Sequence, residues 1–158
     1  MNRGPVVREG YIYIAAALFL AVVMYFGFGV AVAVPFVVLA CYFTYFFRNP
    51  DRTIPTDEHL VVSPADGTVQ DVVELEDDDF VKGPCTKIII FLSVFNVHVN
   101  RSPIAGEIKC QKYVCGRFRP AYKDEVGFEN ERHMLGIENE KGFRVTVTQI
   151  AGILARRI

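Results

Sequence analysis

A run without a single charged residue covers residues 11–47 and constrains this chain more than any other feature. A membrane-spanning helix needs about 20 apolar residues, so the run is nearly long enough for two crossings. The sequence GFG at residues 27–29 interrupts it, and Pro35 follows shortly after. Because glycine loosens a helix and proline removes a backbone donor, we expect the chain to reverse here. The run predicts a transmembrane helical hairpin with helices at about 11–25 and 30–47.

Basic residues flank this run on both sides. Arg3 and Arg8 precede it, and Arg48 and Arg52 follow it. Under the positive-inside tendency both ends lie on the cytoplasmic side of the cell membrane, and so does the soluble domain. Aromatic residues at both ends fit an interfacial belt. The alternative is one long tilted helix, which would place the remaining chain across the membrane from its N-terminus.

The remainder of the chain predicts a mainly β domain. Residues 143–150 alternate between apolar and polar side chains, which is typical of a half-buried strand. Three further segments have β-branched or alternating character: 68–75, 87–92 and 106–114. We therefore divide the chain into a membrane anchor, residues 1–47, and a β-rich domain, residues 48–158, folded as a sandwich or partly open barrel.

Composition excludes several classes of function. The formal net charge is −1 and the basic residues are scattered, which argues against nucleic acid as a partner. The three histidines are far apart and lack an HExxH arrangement, so no metal site is predicted. Four cysteines without CxxC spacing fit thiols in a reducing compartment.

The sequence FNVHVNRSP at residues 95–103 contains the first candidate for chemistry, His98. If the segment is a strand, Val97 and Val99 point to one face, while Asn96, His98 and Asn100 point to the other. A histidine among polar neighbours can hold one tautomer and exchange protons near neutral pH. A structural or exposed histidine is the alternative.

Asp66 is the second candidate, in the sequence SPADG at residues 63–67. Proline and glycine make a tight turn, and aspartate is common in turns because its side chain bonds to nearby backbone. The functional alternative is that Asp66 orients a catalytic histidine.

Five motifs together resemble the phosphatidylserine decarboxylase family, in particular its short, membrane-anchored bacterial and archaeal form. They follow the family's order from about residue 46 to the last residue: FFRNPDR, VVSPADGTV, FLSVFNVHVNRSPIAGEI, NER at 130–132 and TQIAGILARRI. The hydrophobic run ahead of them is similar to the family's anchor.

The resemblance implies a self-processing enzyme that converts phosphatidylserine to phosphatidylethanolamine. A serine in a Gly-Ser context splits the proenzyme and becomes a covalent pyruvoyl group, the electron sink for loss of carbon dioxide. The implied partners are a small α subunit, the phospholipid substrate and the bilayer. Whether the protein also forms a homo-oligomer is left open. Archaetidylserine would present the same head group.

Position by position, the resemblance assigns Asp66 to self-cleavage and His98 to proton transfer. The long bacterial form has a second histidine three residues further on, where this chain has Arg101. Either His98 serves both steps or the base for self-cleavage differs. Arg101 is expected to hold the substrate's phosphate or carboxylate, with Asn96 and Asn100 beside it, or else to form a structural salt bridge.

The chain ends at Ile158 without a later Gly-Ser, so we expect the pyruvoyl serine beyond this residue and no decarboxylation by the chain alone. Two alternatives belong to other classes of protein. One is a non-catalytic membrane adaptor with the same fold. The other is a biotinyl- or lipoyl-like carrier module, although no lysine has the setting that such a module requires.

Overall fold

The computed structural model describes residues 4–55, 57, 60–119, 129–153, 155, 156 and 158. The chain divides into two compact units. The first comprises Met1–Thr56 together with Leu92–Asn100. The second comprises Asp57–Phe91 together with Arg101–Ile158.

Two helices form the first unit, α1 (Arg8–Phe28) and α2 (Val30–Phe46). They are separated at Gly29, whose φ of 87° and ψ of 179° lie in a region that side chains with a Cβ rarely adopt. The predicted break near residues 27–29 is therefore confirmed. Pro35 stays inside α2, where the loss of one backbone donor does not end the helix.

Only α1 is long and apolar enough, by length and composition, to cross a membrane, among the helices of the described residues. It has 21 residues and a mean hydropathy of 2.1. The predicted first helix was too short at both ends, since it omitted Arg8 and the aromatic residues before Gly29. α2 is similarly apolar but has 17 residues.

The chain entering α1 and the chain leaving α2 are tied together. The Val7 N–H donates to the Phe47 carbonyl at 3.0 Å, and the Asn49 N–H donates to the Pro5 carbonyl at 2.7 Å. Gly10 permits this approach, because a Cβ there would lie 2.5 Å from the Phe47 Cβ. The position of the end of α2 therefore depends on a glycine in the first turn of α1.

The second unit contains two antiparallel sheets and no closed barrel within its described residues. Strands β1 (Thr68–Leu75) and β2 (Cys85–Phe91) form the first sheet, with Val72 opposite Ile88. The second sheet has the order β3-β4-β5, formed by Glu107–Val114, Arg132–Glu138 and Arg144–Ile150. The four predicted strand segments are confirmed to within two residues. β4 was missed, because its sequence RHMLGIE does not alternate.

The connection between β1 and β2 packs on the three-stranded sheet. The Phe80 ring lies over Gly136, where a Cβ would be 2.8 Å from the ring atoms. Asp78 fixes the turn, since its Oδ1 accepts from the N–H groups of Phe80 and Val81 and from the Thr146 hydroxyl. Burial acts to raise the pKa of Asp78, but these hydrogen bonds outweigh it and hold the pKa below the ordinary 3.8.

Asn130 fastens three segments of the second unit and is completely buried. Its Nδ2 donates to the carbonyls of Arg119 and Ala151, each at 2.8 Å, and its Oδ1 accepts from the Arg119 N–H at 3.0 Å. The Ala151 N–H in turn donates to the Glu131 carbonyl at 2.9 Å. The NER motif therefore has a structural role at the end of β5.

Candidate active site

The segment that carries His98 does not form a strand, so the predicted strand was wrong. Asn96 competes with strand formation by closing a turn with Ser93. Its N–H donates to the Ser93 carbonyl at 3.0 Å, and its Oδ1 accepts from the Ser93 N–H at 2.8 Å. Asparagine often bonds to nearby backbone in this way in place of a sheet ladder. Val97 beyond the turn is buried, as its apolar side chain suggests.

The His98 imidazole is held in a defined orientation. Its Nδ1 lies 3.0 Å from the Asn96 carbonyl oxygen, which can only accept, so Nδ1 carries the proton. The Nε2 of the neutral ring then has the lone pair and can act as a base. The ring also stacks on Phe46, with centroids 4.4 Å apart and planes at 26°. The expectation that His98 lies among polar neighbours missed this aromatic contact, because the strand geometry behind it is absent.

The surroundings of His98 favour its neutral form. Burial of the half-buried ring is the largest effect and lowers its pKa from the ordinary 6.5. The Asn96 carbonyl acts in the opposite direction, and the positive charge of Arg48 lowers the pKa further. At neutral pH the ring is accordingly poised to accept a proton at Nε2.

Asp66 lies in the second unit, in a turn before β1. The Ser63 hydroxyl donates to the Ala65 carbonyl at 2.7 Å, which closes the turn on its N-terminal side. Gly67 ends it, and a Cβ there would be 2.5 Å from the Phe91 carbonyl oxygen. The predicted turn is confirmed, and glycine is required because the backbone passes so close to the end of β2.

Arg101 lies beside this turn in the second unit. Its N–H donates to the Pro64 carbonyl at 2.9 Å, and the Val62 N–H donates to the Pro103 carbonyl at 3.0 Å. Residues 62–64 and 101–103 therefore run next to each other, which brings the SPADG turn and Arg101 together. Asn96 and His98 are likewise brought together, in the first unit. Asn100 is exposed at the end of that unit's second segment.

The described residues hold no group of three histidine, cysteine, aspartate or glutamate side chains that would bind a metal. His59 lies outside the described residues. His133 is in β4, where its Nε2 lies 2.8 Å from the Gln111 Nε2. His133 adds no described contact to His98.

Sequence reasoning missed the residues of α2 and its end that contact the His98 segment. Phe46 stacks on His98, and Tyr45 and Arg48 both donate to the Phe95 carbonyl. The motif FFRNPDR contained Phe46 and Arg48, but their sequence spacing gives no sign of a partner about 50 residues away. The resemblance included this motif but assigned Phe46 and Arg48 no role.

Comparison with known proteins gives one family. Residues 39–158 match the family described as phosphatidylserine decarboxylase. The phosphatidylserine decarboxylase proenzyme of Symbiobacterium thermophilum is 48% identical over 158 residues, which cover 100% of this chain and 73% of the relative.

Two further proenzymes of the same name agree with this result. That of Carboxydothermus hydrogenoformans is 45% identical, covering 96% of this chain and 70% of its own. That of Geobacter metallireducens is 43% identical, covering 99% and 74%. The SPADG and FNVHVN segments of this chain lie within the range that matches the family. The chain belongs to the phosphatidylserine decarboxylase family of carboxy-lyases.

Proposed function

We propose that this chain is the β-subunit portion of a membrane-bound, pyruvoyl-dependent phosphatidylserine decarboxylase, and that His98 is its proton-transfer group. The observation that carries the proposal is the orientation of His98. Its Nδ1 proton is fixed on the Asn96 carbonyl, and Nε2 is therefore the atom that exchanges protons.

The helical pair supports attachment to a bilayer. At 1.5 Å per residue, α1 would span about 31 Å, close to the hydrocarbon thickness, and α2 about 25 Å. Arg8 lies at the start of α1 and Arg48 just after α2, and backbone bonds tie these two ends together. By the positive-inside tendency we assign these ends to the cytoplasmic side.

Membrane attachment suits a phospholipid substrate, because its acyl chains stay in the bilayer while the head group reaches the site. His98 stacks on the last residue of α2, and in a membrane-attached protein we expect its ring to lie near the lipid head groups. We assign Arg101 to the substrate's phosphate or carboxylate, since a guanidinium matches either group with paired hydrogen bonds. Asn96 and Asn100 are assigned to further polar contacts with the head group.

The residues of this chain fit a pyruvoyl partner. A pyruvoyl group bound to the enzyme supplies the electron sink for decarboxylation. The chain itself has to supply an acid and base, and His98 has the protonation state and orientation for it. The neutral Nε2 accepts a proton from the substrate ammonium group, and the imidazolium returns one to the carbon that carbon dioxide has left.

Asp66 is assigned to self-cleavage of the proenzyme. The turn that holds it is fixed by the Ser63 hydroxyl and by the close approach of Gly67 to β2. A carboxylate held in a rigid turn is suited to orienting a base. Asp66→Asn should therefore slow cleavage while leaving the fold intact, and unchanged cleavage kinetics would return Asp66 to a turn role.

The test uses the full-length reading frame, expressed in membranes. We expect mass spectrometry to find a small subunit with a pyruvoyl-blocked N-terminus, and the purified protein to release carbon dioxide from phosphatidylserine in mixed micelles. A protein that stays uncleaved and releases no carbon dioxide would instead support the membrane adaptor.

A further inference from the structure

The segment that carries His98 is attached to the C-terminal end of α2. The Arg48 guanidinium donates to the Tyr45 carbonyl and to the Phe95 carbonyl, both at 2.8 Å. The Tyr45 hydroxyl donates to the same Phe95 carbonyl at 3.1 Å. Arg48 also lies over the Tyr45 ring, 3.8 Å from its centroid. Two side chains of one helix end thus converge on a carbonyl three residues before His98.

The imidazole itself is restrained in two directions. The Nδ1 hydrogen bond to the Asn96 carbonyl fixes the direction of the ring edge, and the Phe46 ring covers one of its faces. An aromatic stack of this kind restricts rotation of the side chain and excludes water from that face. The helix end therefore supplies one of the two restraints that set the direction of Nε2.

The helix end is itself fixed by the start of α1. Phe47 accepts from the Val7 N–H and packs where Gly10 has no side chain. Tyr13 stacks on Phe47 with centroids 5.4 Å apart and planes at 8°. Phe46 and Arg48 flank Phe47 in the chain, so they start from an anchored backbone.

We propose that Arg48 and Phe46 are positioning residues for His98: Arg48 sets the place of the histidine segment through the Phe95 carbonyl, and Phe46 sets the plane of the imidazole. This inference rests on the proposed function, in which His98 exchanges the proton. Neither residue needs to touch the substrate, because a misplacement of about 1 Å in a catalytic group can cost about 100-fold in rate.

The charges around His98 agree with this assignment. Residues 92–100 contain no other titratable side chain. α2 contains no aspartate, glutamate, lysine, arginine or histidine. The guanidinium of Arg48 is the charge that acts on His98, and it opposes protonation of the ring. Arg48 therefore has two separable effects, one through its hydrogen bonds and one through its charge.

The test compares Arg48→Lys, Arg48→Gln, Phe46→Leu and Phe46→Tyr in the full-length protein, solubilised in detergent micelles. Ring-labelled histidine gives the pKa of His98 by NMR, with His98→Asn used to assign its signal. Carbon dioxide release from phosphatidylserine gives kcat and KM for each variant. Arg52→Gln is the control, since it removes an exposed arginine four residues further along.

Arg48→Gln should raise the pKa of His98 and lower kcat on the order of 10- to 100-fold, with little change in KM. Arg48→Lys keeps the charge but not the forked donor, so it should lower kcat while the pKa of His98 stays in place. Phe46→Leu should lower kcat about tenfold. Phe46→Tyr retains the aromatic ring, so its kcat should stay close to that of the unaltered protein. Arg52→Gln should match the unaltered protein.

Three results would overturn the inference. The first is an Arg48→Gln variant with raised KM but unchanged kcat and histidine pKa, which would make Arg48 a substrate ligand. The second is Arg48→Lys with full activity, and the third is Phe46→Leu with an unchanged kcat. Failure of the proposed function would give a different result, namely a His98→Asn variant that stays active. The pKa of His98 in the Arg48 variants is measured without turnover, so it tests the positioning role separately.

Discussion

Replacement of Asn130 by alanine should destabilise the β unit more than any other single loss of a polar side chain described above. Asn130 is fully buried and makes three hydrogen bonds, two to Arg119 and one to Ala151. A hydrogen bond contributes about 1 kcal/mol net, and a buried group left without its partner costs about 1–3 kcal/mol. Ala151 is completely buried, so water does not replace the bond to its carbonyl.

The two bonds to Arg119 lie nearer the surface, and water recovers part of their loss. The expected decrease in the free energy of unfolding is therefore about 2–4 kcal/mol. For a chain of this size that corresponds to a decrease in Tm of roughly 5–15 °C. Asn130→Asp should cost at least as much, because its second carboxylate oxygen would face two carbonyl oxygens.

The assay is thermal unfolding of the chain in detergent micelles, followed by the β-sheet circular dichroism signal. Asn139→Ala is the matched control, since Asn139 accepts from the N–H groups of Lys141 and Phe143 in an exposed turn. Its loss should cost no more than about 1 kcal/mol because water can take its place. An Asn130→Ala variant with the same Tm as the Asn139→Ala control would refute the reasoning.

Three further predictions concern the helix ends, the histidine and the acidic turn. Gly10→Ala should lower Tm, because its Cβ would meet the Phe47 Cβ at 2.5 Å, whereas Gly27→Ala should not, since nothing lies within 4 Å there; equal effects would contradict close packing of the helices. Because His98 has a pKa below 6.5 and acts in its neutral form, the acidic decline of kcat/KM should have its midpoint below pH 6.5, and a midpoint above that value would contradict the assignment. Because the pKa of Asp78 lies below 3.8, its contribution to stability is present above that pH and is lost as the pH falls through the folded value. Urea unfolding as a function of pH should therefore show a smaller acid-induced loss of stability for Asp78→Asn, and an identical pH dependence would refute this.

The sequence predicted most of the fold because local rules decide it. The uncharged run and Gly29 give the helical pair, β-branched content gives β1, and alternation gives β5. β4 was not predicted, because Gly136 interrupts its strand-like pattern. Contact with the Phe80 ring requires a glycine at this position, whatever its low strand propensity. Such a tertiary contact leaves no local pattern.

The site was predicted only in part, because its geometry also depends on contacts that leave no local sequence pattern. His98 and Asp66 were singled out from their motifs and their chemistry, but the shape of the His98 segment was not. The Asn96 side chain bonds to Ser93 and replaces the expected strand with a turn. The stacking of Phe46 on His98 joins residues far apart in the chain, which a single sequence does not reveal.

The most direct test of the account is the rate of carbon dioxide release from carboxyl-labelled phosphatidylserine by full-length His98→Asn. His133→Asn is the control, because His133 lies in β4 and meets the Tyr113 ring edge to face. Gel analysis measures self-cleavage, so that rates are compared per cleaved enzyme. We predict a loss on the order of 10²–10⁴-fold for His98→Asn and none for His133→Asn. A cleaved His98→Asn enzyme with the rate of the unaltered protein would contradict the central claim.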